Sequence, residues 1–393
     1  MALAHSTIRP TGLSPSLVES INQPTVAAAG LPNEAYTSSV FLELERDRLF
    51  APTWTCIGQA CKLPAPGDAR PIEFIGQPLL MVRGEDGAVR VFHNVCSHRG
   101  NQLVRESCNV AKLIRCPYHA WTYRLNGELS GTPHIGGPGR HDNETFDRSA
   151  NGLKEVRSAV WMDLVFINLS GDAPPFEQHI APLELHVQKL ATLDQYARMR
   201  PAVSHGSFEL EFSGNWKLVI ENNLESYHLP FIHPDLSARS TLEDHYHFYG
   251  GDLFAGQGSN KYQPIVGDNC AAFAHFEDWP EQVSEYPTAF PNIFLGVHCD
   301  QVWTIVLFPL APDRTLEHWQ IYYVGDTAAD PMLDEAREKT MDGWRNIFLE
   351  DMGVVEGMQR GRSSPGFHGG VFSGVMDEPT HHFHKWVANV ISK

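Results

Sequence analysis

Two short stretches of the chain pair cysteine with histidine. "CSHRG" contains Cys96 and His98 one residue apart, and "CPYHAW" contains Cys116 and His119 two residues apart. Two thiolates and two imidazoles can hold a single tetrahedral zinc ion. They can also hold a [2Fe–2S] cluster in which both cysteines bind one iron and both histidines bind the other. The residue types therefore indicate a metal site, and their surroundings must decide between zinc and iron.

The surroundings of the two motifs favour the iron–sulfur cluster. Alternating apolar residues predict one hairpin over 78–95, with Asp86-Gly87 at its turn, and another over 119–131, with Asn126-Gly127 at its turn. Zinc sites of this composition place their two histidines together at the end of a helix, whereas here each histidine follows its own cysteine on a loop next to a hairpin. Two such loops can enclose a flat diiron unit from both sides, each giving one thiolate and one imidazole.

A second possible metal site lies downstream. "NWKLVIENNLESYHLPFIHP" supplies His228 and His233, and its pattern predicts a helix over 215–229, with His233 leaving it after Pro230. Two histidines and one carboxylate form the facial site of mononuclear Fe(II), which leaves positions open for O₂. The chain has 20 histidines, so proximity alone means little. We expect the other close groups, 245/247 and 381/382/384, at the surface.

The third ligand of such a site should be a distant carboxylate. In "DGWRNIFLEDMGVVEGMQRG" one helical stripe is formed by positions 344, 347, 348, 351, 355 and 358, which are Trp, Ile, Phe, Asp, Val and Met. Asp351 is the charged residue on this apolar face. A buried carboxylate is costly without a cationic partner, and iron would supply one. We therefore expect Asp351 to be the ligand and Glu350 to point away.

The order of predicted elements indicates an α+β protein of three parts. A helix is expected over 38–54, short strands and turns fill 55–170, and helices and strands mix after 170. Strands are expected at 293–309 and 316–324, followed by a long helix over about 331–360. The predicted boundaries are 1–54, 55–170 and 171–393.

Charge and composition exclude several classes of function. The 393 residues carry 30 Lys+Arg and 47 Asp+Glu, a net charge of −17, which would repel nucleic acid. Seven cysteines are an odd number and do not suggest a disulfide framework. No apolar run approaches the roughly 20 residues of a membrane span, and the N-terminus lacks the pattern of a secretory signal. We expect a cytoplasmic protein with no nucleic-acid or membrane partner.

The two cysteine–histidine motifs also carry a family resemblance. "HNVCSHRGNQL" and "IRCPYHAWTYRLNG" resemble the Rieske domain of the Rieske non-haem iron oxygenases, whose pattern is C-x-H and then C-x-x-H. The resemblance implies a small all-β Rieske domain over 55–170 and a larger catalytic domain over 171–393, with an antiparallel sheet covered by helices. Residues 1–54 would be an arm and helix packed with the catalytic domain. The implied cluster ligands are Cys96, His98, Cys116 and His119, and the implied ligands of a mononuclear Fe(II) are His228, His233 and Asp351.

The resemblance further implies an electron path between subunits. In the family, an acid at the position of Glu225 bridges a Rieske histidine of one subunit to an iron-ligand histidine of its neighbour, so a homotrimer or a hexamer of stacked trimers is expected. Asn222 and Tyr227 would lie near the iron. No G-x-G-x-x-G motif opens a helix after a strand. Electrons from NAD(P)H would therefore come through a separate flavin and iron–sulfur reductase, with or without a ferredoxin.

The substrate is the least determined feature. The aromatic-ring dihydroxylating branch usually has Asp at the bridging position, whereas "ENNLESYH" has Glu225 and looks more like the carnitine, choline and glycine-betaine monooxygenase branch. We therefore expect hydroxylation, oxidative demethylation or cleavage of a small quaternary amine or betaine with O₂. The alternative is a ring-hydroxylating (di)oxygenase acting on an arene or aromatic acid.

Two further observations bear on function. A simple electron carrier or zinc-binding protein would not need the more than 200 residues after 170. Aromatic faces bind quaternary ammonium groups. Candidates for such contacts, each equally compatible with an ordinary core role, are Phe276, Trp279, Tyr286, Phe290, Phe294 and Trp303. The sequence does not single out a cation that would bind a substrate carboxylate.

Overall fold

The computed structural model describes residues 12–261, 273–280 and 283–393. The first eleven residues of the expected N-terminal arm lie outside this range. The chain divides into two units: residues 54–173 form one, and the described residues up to 53 join 174–393 in the other. The α+β class expected from the sequence is confirmed.

The regular secondary structure of the unit formed by 54–173 consists almost entirely of antiparallel strands. They are β1 (Thr55–Gln59), β2 (Asp68–Phe74), β3 (Gln77–Arg83), β4 (Val89–His93), β5 (Cys108–Asn109), β6 (Leu113–Arg115), β7 (Thr122–Arg124), β8 (Leu129–Gly131), β9 (Glu155–Trp161) and β10 (Leu164–Asn168). One sheet has the order β1-β10-β9-β4-β3-β2-β5, and a smaller one has the order β6-β7-β8. Both expected hairpins are confirmed, as β3–β4 and β7–β8.

The other unit has one large antiparallel sheet. Its strands are β11 (Met199–Pro201), β12 (Glu209–Phe212), β13 (His245–Gly250), β14 (Phe254–Ser259), β15 (Ser284–Ala289), β16 (Ile293–Val297), β17 (Gln301–Ala311) and β18 (Arg314–Val324). The order is β11-β18-β17-β16-β15-β14-β13, and β12 also pairs with β18. The apolar run expected at 293–309 is thus two strands joined by a turn.

Helices of this second unit pack around the sheet. They are α1 (Pro15–Ile21), α2 (Glu34–Thr37), α3 (Ser39–Glu45), α4 (Phe176–Val187), α5 (Leu193–Tyr196), α6 (Trp216–Leu224), α7 (Leu229–Ile232), α8 (Pro234–Ser237), α9 (Asp334–Gly361) and α10 (Glu378–Ile391). A π-helical turn, Arg46–Phe50, continues α3. Short 3₁₀ turns lie at Thr25–Ala27, Ala60–Lys62, Ser149–Asn151, Leu242–Asp244, Gly325–Ala328 and Pro331–Leu333. The helices expected over 38–54 and about 331–360 are both present.

The helix expected over 215–229 is shorter than the pattern suggested. Helix α6 starts at an N-cap, where the Asn215 side chain accepts the amide of Lys217 at 3.0 Å. It ends at Leu224, because Glu225 is extended at φ −126°, ψ 157°. The side chain of Gln257 on β14 donates to the carbonyl of Glu225 at 2.9 Å and to that of Asn223 at 3.3 Å, which satisfies acceptors left free at the helix end.

A buried ion pair fastens the N-terminal helices to α6. The Lys217 ammonium lies 2.5 Å from Glu45, and the Trp216 indole donates to the same carboxylate at 3.0 Å. The side chains of Lys217 and Glu45 are fully buried. Removing one partner of such a pair is strongly destabilising, since it leaves a buried charge unpaired. Helix α6, which leads into the second candidate metal site, is therefore held from its first turn.

Within the three described segments, no helix combines the length and apolar character that crossing a bilayer would require.

Candidate active site

The two cysteine–histidine loops have the same backbone hydrogen-bond pattern. The amide of Cys96 donates to the carbonyl of Asn101 at 2.8 Å, and the Gly100 amide donates back to Cys96 at 3.0 Å. The amide of Cys116 donates to Trp121 at 2.8 Å, and the Ala120 amide donates back to Cys116 at 3.1 Å. The fourth residue after each cysteine has positive φ, 71° at Gly100 and 56° at Ala120. Each loop is thus a closed turn that fixes its cysteine.

Within these loops the two thiols are buried, the His98 side chain is exposed, and the His119 side chain is partly exposed. Cys96 and Cys116 are each 2% exposed and belong to the core of the unit. The His98 ring stacks on Trp121 with ring centroids 4.6 Å apart, and the His98 and His119 rings are 4.7 Å apart. Burial, with a smaller contribution from the nearby Arg99 guanidinium, lowers the pKa of His98, which favours the neutral form that binds metals.

This arrangement fits a [2Fe–2S] cluster bound by two thiolates and two imidazoles. The Tyr123 hydroxyl accepts the Ser97 amide at 3.1 Å and lies 3.1 Å from the Cys96 sulfur. A cluster-bound thiolate can only accept, so the hydroxyl would then donate to that sulfur. The buried Nδ1 of His119 has no hydrogen-bond partner among the described residues. A buried imidazole nitrogen without a partner, beside paired thiols, is the donor set that the cluster requires.

His228 follows directly from the break in α6. Because Glu225 leaves the helix, its carboxylate turns back to accept the amides of Tyr227 and His228 and lies 2.6 Å from His228 Nδ1. An Nδ1–H bonded to a carboxylate leaves the Nε2 lone pair free for a metal. The helix expected over 215–229 would have placed Glu225 and His228 on one face, but the helix ends at Leu224. The two are close because of a turn rather than because of helical periodicity.

His233 is held from both sides by consecutive acids of α9. Its Nδ1 lies 2.7 Å from Glu350 Oε2, and its Nε2 lies 3.0 Å from Asp351 Oδ1. Burial opposes the charged form, but the hydrogen bonds and charges of these two carboxylates outweigh it and raise the pKa of His233. The expectation that Glu350 points away from the site was wrong. The imidazole enters between two neighbouring side chains of the helix.

The structure brings the residues of the second expected site together. His228, His233 and Asp351 each place a ligand atom within 4.8 Å of the others, and no other group of this kind occurs in the described part of the chain. Asp351 is 5% exposed, and its carboxylate accepts a hydrogen bond from the side-chain amide of Asn222 at 3.2 Å. Two imidazole nitrogens and one carboxylate oxygen fit a facial iron site.

A cavity opens beside these three donors. Its lining residues are Asn222, Asn223, His228, Leu229, His233, Leu236, Arg239, Ser240, His245, Gln257, Ser259, Lys261, Ser284, Tyr286, Trp303, Trp344, Ile347, Phe348 and Asp351. Of the six aromatic residues considered from the sequence, Tyr286 and Trp303 reach it. Trp303 fits because it lies over Gly296, where an added Cβ would come within 2.0 Å of the indole.

The other four aromatic candidates are outside this lining. Phe276 stacks on Trp279, with centroids 5.5 Å apart, and Phe290 packs against Phe383 at 5.1 Å. Phe294 is fully buried. Trp344 and Phe348 of α9 take their place in the cavity, and both belonged to the apolar stripe recognised around Asp351. The helical periodicity therefore identified the apolar face that contains Trp344 and Phe348, but it could not show which residues of that face line a cavity.

The expectation of surface positions was wrong for His381 and His384, which are each 1% exposed, and also for His245. His245 is half-buried in the cavity wall, with Nδ1 3.1 Å from the side-chain carbonyl oxygen (Oε1) of Gln257 and Nε2 3.1 Å from the Ser240 hydroxyl. Since that carbonyl can only accept, Nδ1 carries the proton, and Nε2 accepts from Ser240. Burial lowers the pKa of His245. The residue therefore lines the cavity as a neutral imidazole.

Comparisons with known proteins agree with this pairing of sites. The Rieske [2Fe-2S] domain family matches residues 53–145, and the family described as ring hydroxylating alpha subunit (catalytic domain) matches residues 199–393. The chain is 28% identical over 349 residues to the carnitine monooxygenase oxygenase subunit of Acinetobacter pittii (strain PHEA-2), with 86% of both chains covered. It is 33% identical over 323 residues to the 2-aminobenzenesulfonate 2,3-dioxygenase subunit alpha of Alcaligenes sp, with 78% of both covered.

A solved structure shows the same architecture. The quaternary ammonium Rieske monooxygenase CntA in complex with L-carnitine is 25% identical, with a TM-score of 0.78 over 96% of this chain and 99% of that chain.

The fold and sites thus define an oxygenase with an electron-transfer domain and a separate iron-binding domain. The chain belongs to the Rieske non-haem iron oxygenase family and is an oxygenase alpha subunit. Its cofactors are a Rieske [2Fe–2S] cluster and a mononuclear iron.

Proposed function

We propose that the protein is the oxygenase component of a system that uses O₂ to hydroxylate, and so demethylate or cleave, a small quaternary amine or betaine. The observation that carries this proposal is an aromatic wall in the cavity. The centroids of Trp303 and Trp344 are 5.4 Å apart, and those of Tyr286 and Trp303 are 6.0 Å apart. Such faces attract quaternary ammonium groups. The relatives that by name act on carnitine, and the complex with L-carnitine, support the same substrate class.

The proposed cluster ligands are Cys96, His98, Cys116 and His119, and the proposed iron ligands are His228, His233 and Asp351. Residues 55–170 would then transfer electrons, residues 171–393 would carry the oxidation, and residues 1–54 would brace the catalytic part. A mononuclear iron held there would supply open positions for O₂ and would pass on electrons delivered by the cluster. Glu225 and Glu350 hold the two imidazoles in the Nδ1–H tautomer. Asn222 orients the Asp351 carboxylate, and the aromatic wall positions a methyl group.

We also propose that the working form is a homotrimer, or a hexamer of two trimers, in the cytoplasm. A depression beside His228 is lined by Glu225, Tyr227, Phe231 and Asp377. Phe231 is 76% exposed and Tyr227 is 49% exposed, so the depression presents two aromatic side chains that a partner could cover. This face would receive the Rieske loops of a second copy, where Tyr118 is 58% exposed, and Glu225 would bridge the two sites.

Phe231→Asp should convert the oligomer to monomers in light scattering, whereas a monomeric wild type would contradict the assembly.

Electrons would reach the cluster from NAD(P)H through a separate flavin and iron–sulfur reductase, directly or by way of a ferredoxin. The test of function uses the holoenzyme with such a reductase and measures O₂ uptake and aldehyde release. Carnitine, gamma-butyrobetaine, choline and benzoate form the substrate panel. We expect uptake coupled to aldehyde only with the quaternary amines. Coupled oxidation of benzoate to a dihydrodiol, without reaction of the amines, would overturn the proposal.

The aromatic wall has its own test. Trp303→Leu should raise the KM for a quaternary amine by about 2- to 30-fold, the range of a cation–π contact worth about 0.5 to 2 kcal/mol. Trp279→Leu is the matched control, because Trp279 donates to the Val283 carbonyl at 3.0 Å and is not part of the cavity lining. Equal changes of KM in the two variants would show that the aromatic wall does not bind the substrate.

A further inference from the structure

The break after α6 involves a donor from another strand. In a continuing helix, the amide of Tyr227 would bond to the carbonyl of Asn223, and each later amide to the carbonyl four residues before it. The side chain of Gln257 on β14 takes two of these acceptors instead. It donates to the Asn223 carbonyl at 3.3 Å and to the Glu225 carbonyl at 2.9 Å. One buried amide group thus replaces two donors of the helix itself.

The backbone donors replaced in this way bind elsewhere, and one of them supports the iron site. The Leu229 amide, which would be the helical partner of the Glu225 carbonyl, donates to the Ser226 carbonyl at 3.2 Å. The Tyr227 amide donates to the Glu225 carboxylate, the same group that lies 2.6 Å from His228 Nδ1. The end of the helix and the contact between carboxylate and imidazole are therefore one arrangement.

Pro230 does not account for the position of this break. A proline disfavours helical backbone at the residue before it, so it would let α6 run as far as His228. The helix ends at Leu224, where Glu225 becomes extended and its carbonyl meets Gln257. The contact from β14, and not the proline, coincides with the end of the helix.

The orientation of Gln257 is fixed by a chain of hydrogen bonds in the cavity wall. Its side-chain oxygen lies 3.1 Å from His245 Nδ1, and His245 Nε2 lies 3.1 Å from the Ser240 hydroxyl. Ser240 Oγ is 2.6 Å from Ser259 Oγ, which accepts the Lys261 amide at 3.0 Å. Because His245 Nδ1 carries the proton, its Nε2 accepts from Ser240, whose oxygen accepts from Ser259. A flipped Gln257 amide would turn its donors toward the imidazole N–H and its oxygen toward the two carbonyls.

We propose that Gln257, oriented by His245, is a positioning residue of the iron site, because it holds the break that lets Glu225 bind His228. This inference rests on the proposed iron ligands and assigns a role to two side chains that act on them through Glu225. Gln257 and His245 both line the cavity, so the same hydrogen bonds lead from the cavity wall to the iron site.

The test measures the binding of Co(II) to protein that keeps its cluster but carries no metal in the second site. Anaerobic calorimetry gives the dissociation constant without any turnover. Gln257→Leu keeps the approximate volume of the side chain and removes both donated bonds. It should weaken Co(II) binding about 5- to 100-fold, the range for two lost neutral hydrogen bonds. His245→Phe should have a smaller effect in the same direction, because Gln257 remains but loses its fixed orientation.

A double variant separates positioning from a general structural effect. In protein that carries Glu225→Ala, adding Gln257→Leu should change the Co(II) affinity less than about twofold, because the carboxylate on which Gln257 acts is already gone. Two independent effects would instead multiply. An unchanged affinity in Gln257→Leu, or effects of Gln257→Leu and Glu225→Ala that multiply, would overturn the inference.

Gln320→Leu is the matched control. Gln320 is a buried glutamine of the same sheet that donates to the Ile321 carbonyl at 3.0 Å and is not part of the cavity lining. Its replacement should leave the Co(II) affinity unchanged, and a loss equal to that of Gln257→Leu would overturn the positioning role. If Gln257→Leu does not fold with its cluster, the cycle of His245→Phe with Glu225→Ala decides by the same criterion.

Failure of the proposed iron site gives a different result. Wild type that binds Co(II) tightly and loses it in Asp351→Ala, with no effect of Gln257→Leu, would overturn the inference and leave the iron site in place. Wild type that binds no Co(II), or binds it independently of Asp351, would overturn the proposed iron ligands and the inference with them.

Discussion

The two candidate metal sites hold their ligands in different ways. In the unit formed by residues 54–173, closed backbone turns fix Cys96 and Cys116, so each ligand is positioned within about five residues of chain. In the other unit, carboxylate side chains fix the imidazoles, and Glu350 reaches His233 across 117 residues of sequence. The first site depends on local backbone geometry. The second depends on the packing of α9 against the segment that follows α6, so its ligand positions are sensitive to single side chains.

The largest expected effect comes from removing a thiolate. Cys96→Ser replaces a buried soft ligand by a hydroxyl and should eliminate the cluster, so that iron falls from about three to about one per chain. The rhombic EPR signal of the reduced Rieske centre should vanish, while the remaining iron stays bound in the other unit. Cys108→Ser is the control, because Cys108 is exposed and lies outside both motifs. Loss of all three irons from Cys96→Ser would show that the two sites do not bind iron independently.

The next effect tests whether side chains fix the second site. Glu350→Gln removes the negative charge that holds His233 Nδ1 at 2.7 Å, so iron affinity should fall about 10- to 100-fold. Dialysis against graded chelator, followed by iron analysis, measures the loss. Glu356→Gln on the same helix should have no effect, since Glu356 pairs with Arg360 at the surface. Unchanged iron retention in Glu350→Gln would mean that the imidazole is held by packing alone.

A smaller effect is expected at the backbone-held site. Tyr123→Phe removes the hydroxyl that lies 3.1 Å from the Cys96 sulfur but leaves the closed turns intact. The cluster should remain fully loaded, and its reduction potential should fall, because hydrogen bonds to the sulfurs stabilise the reduced state. Redox titration followed by EPR gives both quantities. A cluster that is lost from this variant would show that the backbone turns do not suffice.

The smallest effect concerns a buried acid behind the second site. Burial raises the pKa of Glu317 on β18 to about 8. Between the unfolded value of about 4.3 and about 8, the folded protein keeps a proton that the unfolded chain has lost, so stability falls as pH rises through this window. Glu317→Gln should flatten the decline of the thermal midpoint between pH 5 and 8. Identical pH profiles of the variant and the wild type would show that Glu317 does not titrate there.

The contrast between the two sites explains what the sequence could reveal. The backbone-held site was recognisable because its ligands lie one or two residues apart between predictable hairpins. Asp351 was recognisable for another local reason, as a charge on an apolar helical face. The fold class followed from the change in periodicity near residue 170.

The parts that sequence reasoning missed depend on contacts between distant segments. Glu350 differs from Asp351 by one position, and nothing in the helical period indicates that His233 enters between them. Arg239 and His245 line the cavity because Ser240 bonds to Ser259, a tertiary contact. The early end of α6 was missed because Gln257, 33 residues beyond Leu224, satisfies the helix end.

The central claim is that one chain carries two independent iron sites, and that Asp351 is the third protein ligand of the second site. Metal analysis and EPR of dithionite-reduced wild type and Asp351→Ala test it most directly. We predict a rhombic Rieske signal in both proteins, about three irons per chain in the wild type, and about two in the variant without oxygenase activity. A variant that keeps its third iron would remove Asp351 as a ligand. Zinc in place of iron, with no Rieske signal, would contradict the account as a whole.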